Sequence, residues 1–70
     1  MVDIAIEGTI GTATATYDLF KAEIDSGKVE YDPGSWGKPV RLRNVEPKDA
    51  KAISDLLAEF GFSSWVERKH

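Results

Sequence analysis

Twelve carboxylates, nine Lys/Arg, a single histidine and no cysteine make up the reactive inventory of this 70-residue chain. Carboxylate pairs can serve as general acid and base or hold a hard cation. Three spacings qualify: Asp3/Glu7, Asp18/Asp25 and Asp55/Glu59. Asp55 and Glu59, at i and i+4, can converge on one cation if the stretch is helical. All three pairs also lie on faces that read as solvated, which is the simpler account. His70 is the last residue, a frayed position for a catalytic base. Ser63 and Ser64 have no histidine placed to activate them. Without cysteine there is no thiolate nucleophile, thiolate metal site or disulfide. These residues predict no catalytic set and no cofactor, hence a protein that is not an enzyme.

Gly8-Thr9-Ile10-Gly11-Thr12 follows a hydrophobic alternation and precedes a helical pattern, a context in which backbone N–H groups can hold a phosphate. It lacks the third glycine of a dinucleotide fingerprint and the Gly-Lys-Ser/Thr of a P-loop. A tight strand-to-helix connection explains it as well.

What the other patterns leave over is Trp36, Trp65, Arg41 and Arg43. Tyr17, Phe20, Tyr31, Phe60 and Phe62 fit core positions or positions packed near the core. Trp36 lies on a turn, and Trp65 shares a strand face with Ser63 and Glu67. Exposed tryptophan marks binding surfaces. These four residues are the candidate partner-binding set.

Positioning them requires a fold, and the hydrophobic periodicity supplies one. Val2, Ile4 and Ile6 alternate with Asp3, Ala5 and Glu7, the pattern of a half-buried strand. Ala13, Tyr17, Phe20 and Ile24 follow helical spacing, with Thr12 or Thr14 as cap and Ser26-Gly27 as the stop. Because Phe20, Ala22 and Ile24 also alternate, residues 13–31 permit a β-hairpin instead. Val29 and Tyr31 form a short strand that ends at Asp32-Pro33-Gly34. Lys38 to Val45 is the next strand, with Val40 and Leu42 on one face and Arg41 and Arg43 on the other. Pro47 opens a second helix striped by Ala50, Ile53, Leu56, Leu57 and Phe60, and Gly61 closes it. Phe62, Ser64 and Val66 then alternate with Ser63, Trp65 and Glu67 in a last strand.

The expected fold is a single α+β domain over residues 1–70, ferredoxin-like β-α-β-β-α-β, with a four-stranded antiparallel sheet of order 4-1-3-2 and two helices on one face. The alternative is an N-terminal β-meander followed by one helix and a last strand. In the first arrangement Asp3 and Glu7 face Arg41 and Arg43 across the sheet. Such a fold hosts many unrelated functions and carries no activity with it.

Charge narrows the partner. The formal net charge is −3, with two Lys/Arg against seven Asp/Glu in residues 1–37 and seven against five in 38–70. An acidic chain is a poor general binder of nucleic acid, which needs cations to displace counterions. The leading expectation is a protein-binding module, an adaptor or inhibitor of a larger assembly, using exposed tryptophan with the open sheet face or an edge strand. Lys28 to Tyr31 is an edge that also permits homodimer pairing. The alternatives are a single-stranded RNA/DNA-binding domain using Arg41, Arg43, Lys38, the Arg68-Lys69 tail and Trp65, or a small phosphate-binding domain at Gly8–Thr12. With no long apolar run and no basic-then-apolar N-terminus, a cytoplasmic location and no membrane contact are expected.

Overall fold

The computed structural model describes residues 1–7 and 11–68. Its elements run β1 (Val2–Glu7), α1 (Thr12–Leu19), α2 (Lys21–Asp25), β2 (Glu30–Asp32), β3 (Val40–Val45), α3 (Pro47–Glu59) and β4 (Ser63–Arg68). The four strands form one sheet in the order β2-β3-β1-β4, antiparallel at every junction. This is a mixed α+β fold with an open sheet. Residues 21–25 are helical, so the hairpin alternative does not hold.

The core lies on one side of the sheet. Val2, Ile4 and Ile6 of β1 join Val40, Leu42 and Val45 of β3, and Phe20, Ala50 and Leu57 of the helices close over them. Among the described residues, the opposite face carries no member of this core.

α3 begins with Pro47 at its first position, where the missing N–H costs no hydrogen bond. It ends in a paired cap: Phe62 N–H donates to the Leu57 carbonyl at 3.0 Å and Gly61 N–H to that of Ala58 at 3.0 Å. Phe60, expected in the stripe, is instead 59% exposed. It is the C-cap residue, where the chain leaves helical geometry, and the apolar stripe has turned past the sheet by then.

The first helical region differs from the sequence reading in three ways. It is two segments, broken at Phe20 (φ −116°, ψ 23°), whose ring is buried in the core. Its buried line is Thr12, Thr16 and Phe20, one position back from the expected Ala13 and Tyr17. Tyr17 and Ala13 flank that line. The Tyr17 ring meets Tyr31 edge-on at 5.4 Å, and the Tyr31 hydroxyl donates to the Ala13 carbonyl at 2.7 Å. Neither Thr12 nor Thr14 caps α1, because Gly11 holds the N-cap position and no side chain among the described residues caps it.

A second departure lies in β3. Asn44 has φ 58°, and the β1–β3 register shifts between Val2 and Ile4, the sign of a β-bulge. Strict alternation from Val40 and Leu42 would point Asn44 inward and Val45 out. The extra residue reverses that phase and leaves Val45 fully buried. No helix among the described residues is long and apolar enough to cross a membrane.

Candidate binding surface

The register defines two rows of side chains across the helix-free face. One runs Asp32, Arg41, Ala5, Trp65 from β2 to β4. In the next, Glu30 pairs with Arg43 and Asp3 with Glu67, the bulge lying between the two pairs. Glu7 stands opposite Ser63 at the end of β1.

The cations on this face are held inside it. Arg43 donates through Nη1 to Asp3 at 3.1 Å and through Nη2 to Asp32 at 2.9 Å. Asp3 also accepts the Asn44 N–H at 3.3 Å, so the bulge turns a backbone donor toward a nearly buried carboxylate. Arg41 donates through Nε to Glu67 at 2.8 Å. The expected opposition of Asp3 and Glu7 to Arg43 and Arg41 therefore holds for Asp3 and Arg43 alone. Arg41 takes Glu67 on β4 in place of Glu7, and the small Ala5 between Arg41 and Trp65 leaves the long side chain a path across β1.

Hydrogen bonding sets the charge states. Asp32 is held below the ordinary carboxylate range by the Gly34 N–H, at 2.9 Å, and then by Arg43. Glu67 is lowered first by the bond from Arg41, and the Trp65 side chain adds to this. Arg41 is raised reciprocally, with its bond to Glu67 as the first cause. Counted by register, the face holds Asp3, Glu7, Glu30, Asp32 and Glu67 against Arg41 and Arg43. Its net of three negative charges equals the formal charge of the whole chain. Glu7 and Glu30 stand in no ion pair among the described residues.

Trp36 belongs to the loop between β2 and β3. There Lys38 N–H donates to the Ser35 carbonyl at 2.8 Å, closing a turn whose third residue, Gly37, has φ 80°. A positive φ at that position is the glycine-dependent geometry of a type II turn, and it fixes Trp36 at the tip. Trp36 is fully exposed, with a relative accessibility of 102%. Trp65 is 43% exposed on the sheet face. Two depressions meet at Gly37, Lys38, Pro39 and Arg41. One, of about 570 Å³, reaches Trp65, Glu7 and the start of α1; the other, of about 800 Å³, reaches Asp3, Glu67 and Arg68.

Of the four expected residues, the structure brings Trp65, Arg41 and Arg43 onto one face and holds Trp36 apart on the hairpin tip. Sequence reasoning missed the carboxylates that engage both arginines, Asp32 and Glu67 above all. Their alternation with Tyr31 and Val66 was the available signal. It also placed Val66 inward, yet Val66 is 45% exposed because β4 is the outermost strand. The Lys28–Tyr31 edge is in fact a three-residue strand, Glu30–Asp32, half the length of β4.

The remaining candidates gain little from the geometry. Asp55 pairs with Lys51 at 2.7 Å rather than meeting Glu59 at a cation. No group of three His, Cys, Asp or Glu among the described residues could hold a metal ion. Ser63 and Ser64 lie in β4, and Gly8 to Ile10 of the phosphate-loop candidate, with Lys69 and His70, lie outside the described residues. No protein-family model, curated protein or solved structure matches the chain.

Proposed function

We propose that this chain is a ferredoxin-like domain acting as a non-enzymatic protein-binding module in a reducing cytoplasm, an adaptor or inhibitor that docks on a larger assembly. The observation that carries the reading is Trp36, a fully exposed indole on a turn built by a specific hydrogen bond and a positive-φ glycine. A large aromatic held in water by an ordered turn gives nothing to the fold and suits a hot-spot anchor. Trp65, on the sheet face, supplies a second contact.

Single-stranded nucleic acid is the weaker alternative. Arg41 and Arg43 are bonded to Glu67, Asp3 and Asp32, and the face they occupy is net acidic, so a phosphate backbone would meet carboxylates first. The test uses the intact chain immobilised as bait in cell lysate, beside Trp36→Ala, Trp65→Ala and the double variant. A partner captured by the natural chain and lost from a double variant that circular dichroism shows to be folded supports the module. An unchanged set of captured proteins removes it, and salt-sensitive binding of a labelled RNA or DNA oligomer would put the nucleic-acid reading in its place.

A further inference from the structure

We propose that the open edge of β4 accepts an extended strand from a partner protein, a segment in which cationic and apolar residues alternate. This rests on the binding-module reading and names the chemistry of its partner.

β4 is paired with β1 on one side only, so half of the main-chain N–H and C=O groups of Ser63–Arg68 face outward. Exposed edges recruit other strands, and natural sheets blunt them with proline, bulges or a short strand. β2, the other edge, has three residues and runs directly into Pro33. β4 has six residues, contains neither proline nor glycine, and pairs with β1 without a register shift. Its only blunting device is charge, Glu67 and Arg68 at its C-terminal end, and Ser63–Val66 carry none.

The two faces beside this edge differ, and an added strand shows its side chains alternately to each. On the helix side Val66 borders a groove of about 290 Å³ lined also by Val2, Pro47 and Ala50, with the cations Lys51 and Arg68 beside them, which disfavour a Lys or Arg there. That groove takes an apolar side chain. On the helix-free side the added strand lies beside Ser63, Trp65 and Glu67, with Glu7 and Asp3 one strand further in. A Lys or Arg there can rest on the exposed indole and extend toward Glu7, which has no ion pair among the described residues. Charge also selects against a second copy as the occupant. β4 would bring its own Glu67 to a face that already carries three net negative charges, while its one cation, Arg68, stands at the end of the strand in register with the core residue Val2.

The test titrates the intact, isotope-labelled chain with an end-capped hexapeptide alternating arginine and valine. Saturable NMR shifts confined to the amides of residues 63–68, their β1 neighbours and the Trp65 indole are expected. Glu7→Lys should weaken binding at least fivefold. Two N-methylated peptides, one methylated on every arginine and the other on every valine, each block one edge of the probe strand. One should bind within threefold of the parent and the other at least tenfold weaker. Equal binding of both isomers, or of a peptide with its arginines and valines in separate blocks, would show mere charge attraction and overturn the proposal. So would a chain that self-associates through β4, or one that ignores the probe. If the probe fails while a Trp36- and Trp65-dependent partner is still captured from lysate, strand addition is lost and the binding module stands.

Discussion

Gly34 and Gly37 sit three residues apart in the hairpin that carries Trp36, and both have positive φ, yet substitution should affect them differently. A Cβ at Gly37 meets nothing within 4 Å, so Gly37→Ala should cost only the left-handed backbone, about 1–2 kcal/mol. A Cβ at Gly34 falls 2.8 Å from the Lys38 and Pro39 carbonyl oxygens, which are backbone and cannot swing aside. Gly34→Ala should cost roughly 3 kcal/mol or more by urea unfolding; equal losses at the two sites would show that the loop yields freely. Thr16 makes the opposite case. Its hydroxyl is fully buried and has no hydrogen-bond partner among the described residues, and Thr16→Val removes that desolvated group while keeping the shape. A gain of about 1 kcal/mol, near 4–8 °C in thermal midpoint, is expected. Asp32 and Glu67 give a pH dependence. Both are held below the ordinary carboxylate range when folded, so the unfolded chain binds their protons more tightly. Their stabilisation is complete above about pH 5 and is lost as pH falls through the ordinary value near 4 and below it. Thermal midpoints measured from pH 7 to pH 3 should decline at the acidic end, less steeply in Arg41→Met, which removes the partner of Glu67.

At the scale of elements, the bulge in β3 lets one strand supply both core and ion pairs. Val40, Leu42 and Val45 reach the core while Arg41 and Arg43 stay on the opposite face, an arrangement that strict alternation forbids. Asn44 holds the required φ of 58°, which asparagine tolerates better than most residues. Asn44→Gly should therefore lie within about 0.5 kcal/mol of the natural chain, whereas the β-branched Asn44→Val should cost about 2 kcal/mol or more. If valine proved harmless, the bulge would not be fixing the phase of the strand. The parity conflict between Leu42 and Val45 was legible in the sequence, but the residue that resolves it was not, because a bulge depends on the partner strand. The same limit applies elsewhere. α3 and the alternation of β1 were readable because each buries a face along its own period. The break at Phe20 was not, since helical propensity is favourable on both sides and only the fit of one ring to the sheet decides it. Phe60 and Val66 look apolar and periodic, and they are exposed because the helix ends and the sheet stops there.

Over the whole molecule, the apolar core and the proposed binding surface lie on opposite sides of the sheet. The core occupies one side of the sheet, and the other carries a net charge of three negatives, while the acidic and basic residues elsewhere in the chain balance. The two tryptophans test this separation. Trp36 buries nothing, so Trp36→Ala should shift unfolding free energy by no more than about 0.5 kcal/mol. Trp65 is just over half buried beside Ala5, and an aromatic of its size hides on the order of 100–140 Å² there. At about 25 cal/mol per Å² that area is worth roughly 2.5–3.5 kcal/mol, an upper value because the unfolded chain is not fully extended. Trp65→Ala should therefore destabilise measurably, and a loss of partner binding in that variant needs a folding control. A partner lost from Trp36→Ala at unchanged unfolding free energy would place recognition on the hairpin tip, while a Trp36→Ala chain that unfolds several degrees earlier would mean the loop packs on the sheet and the separation fails.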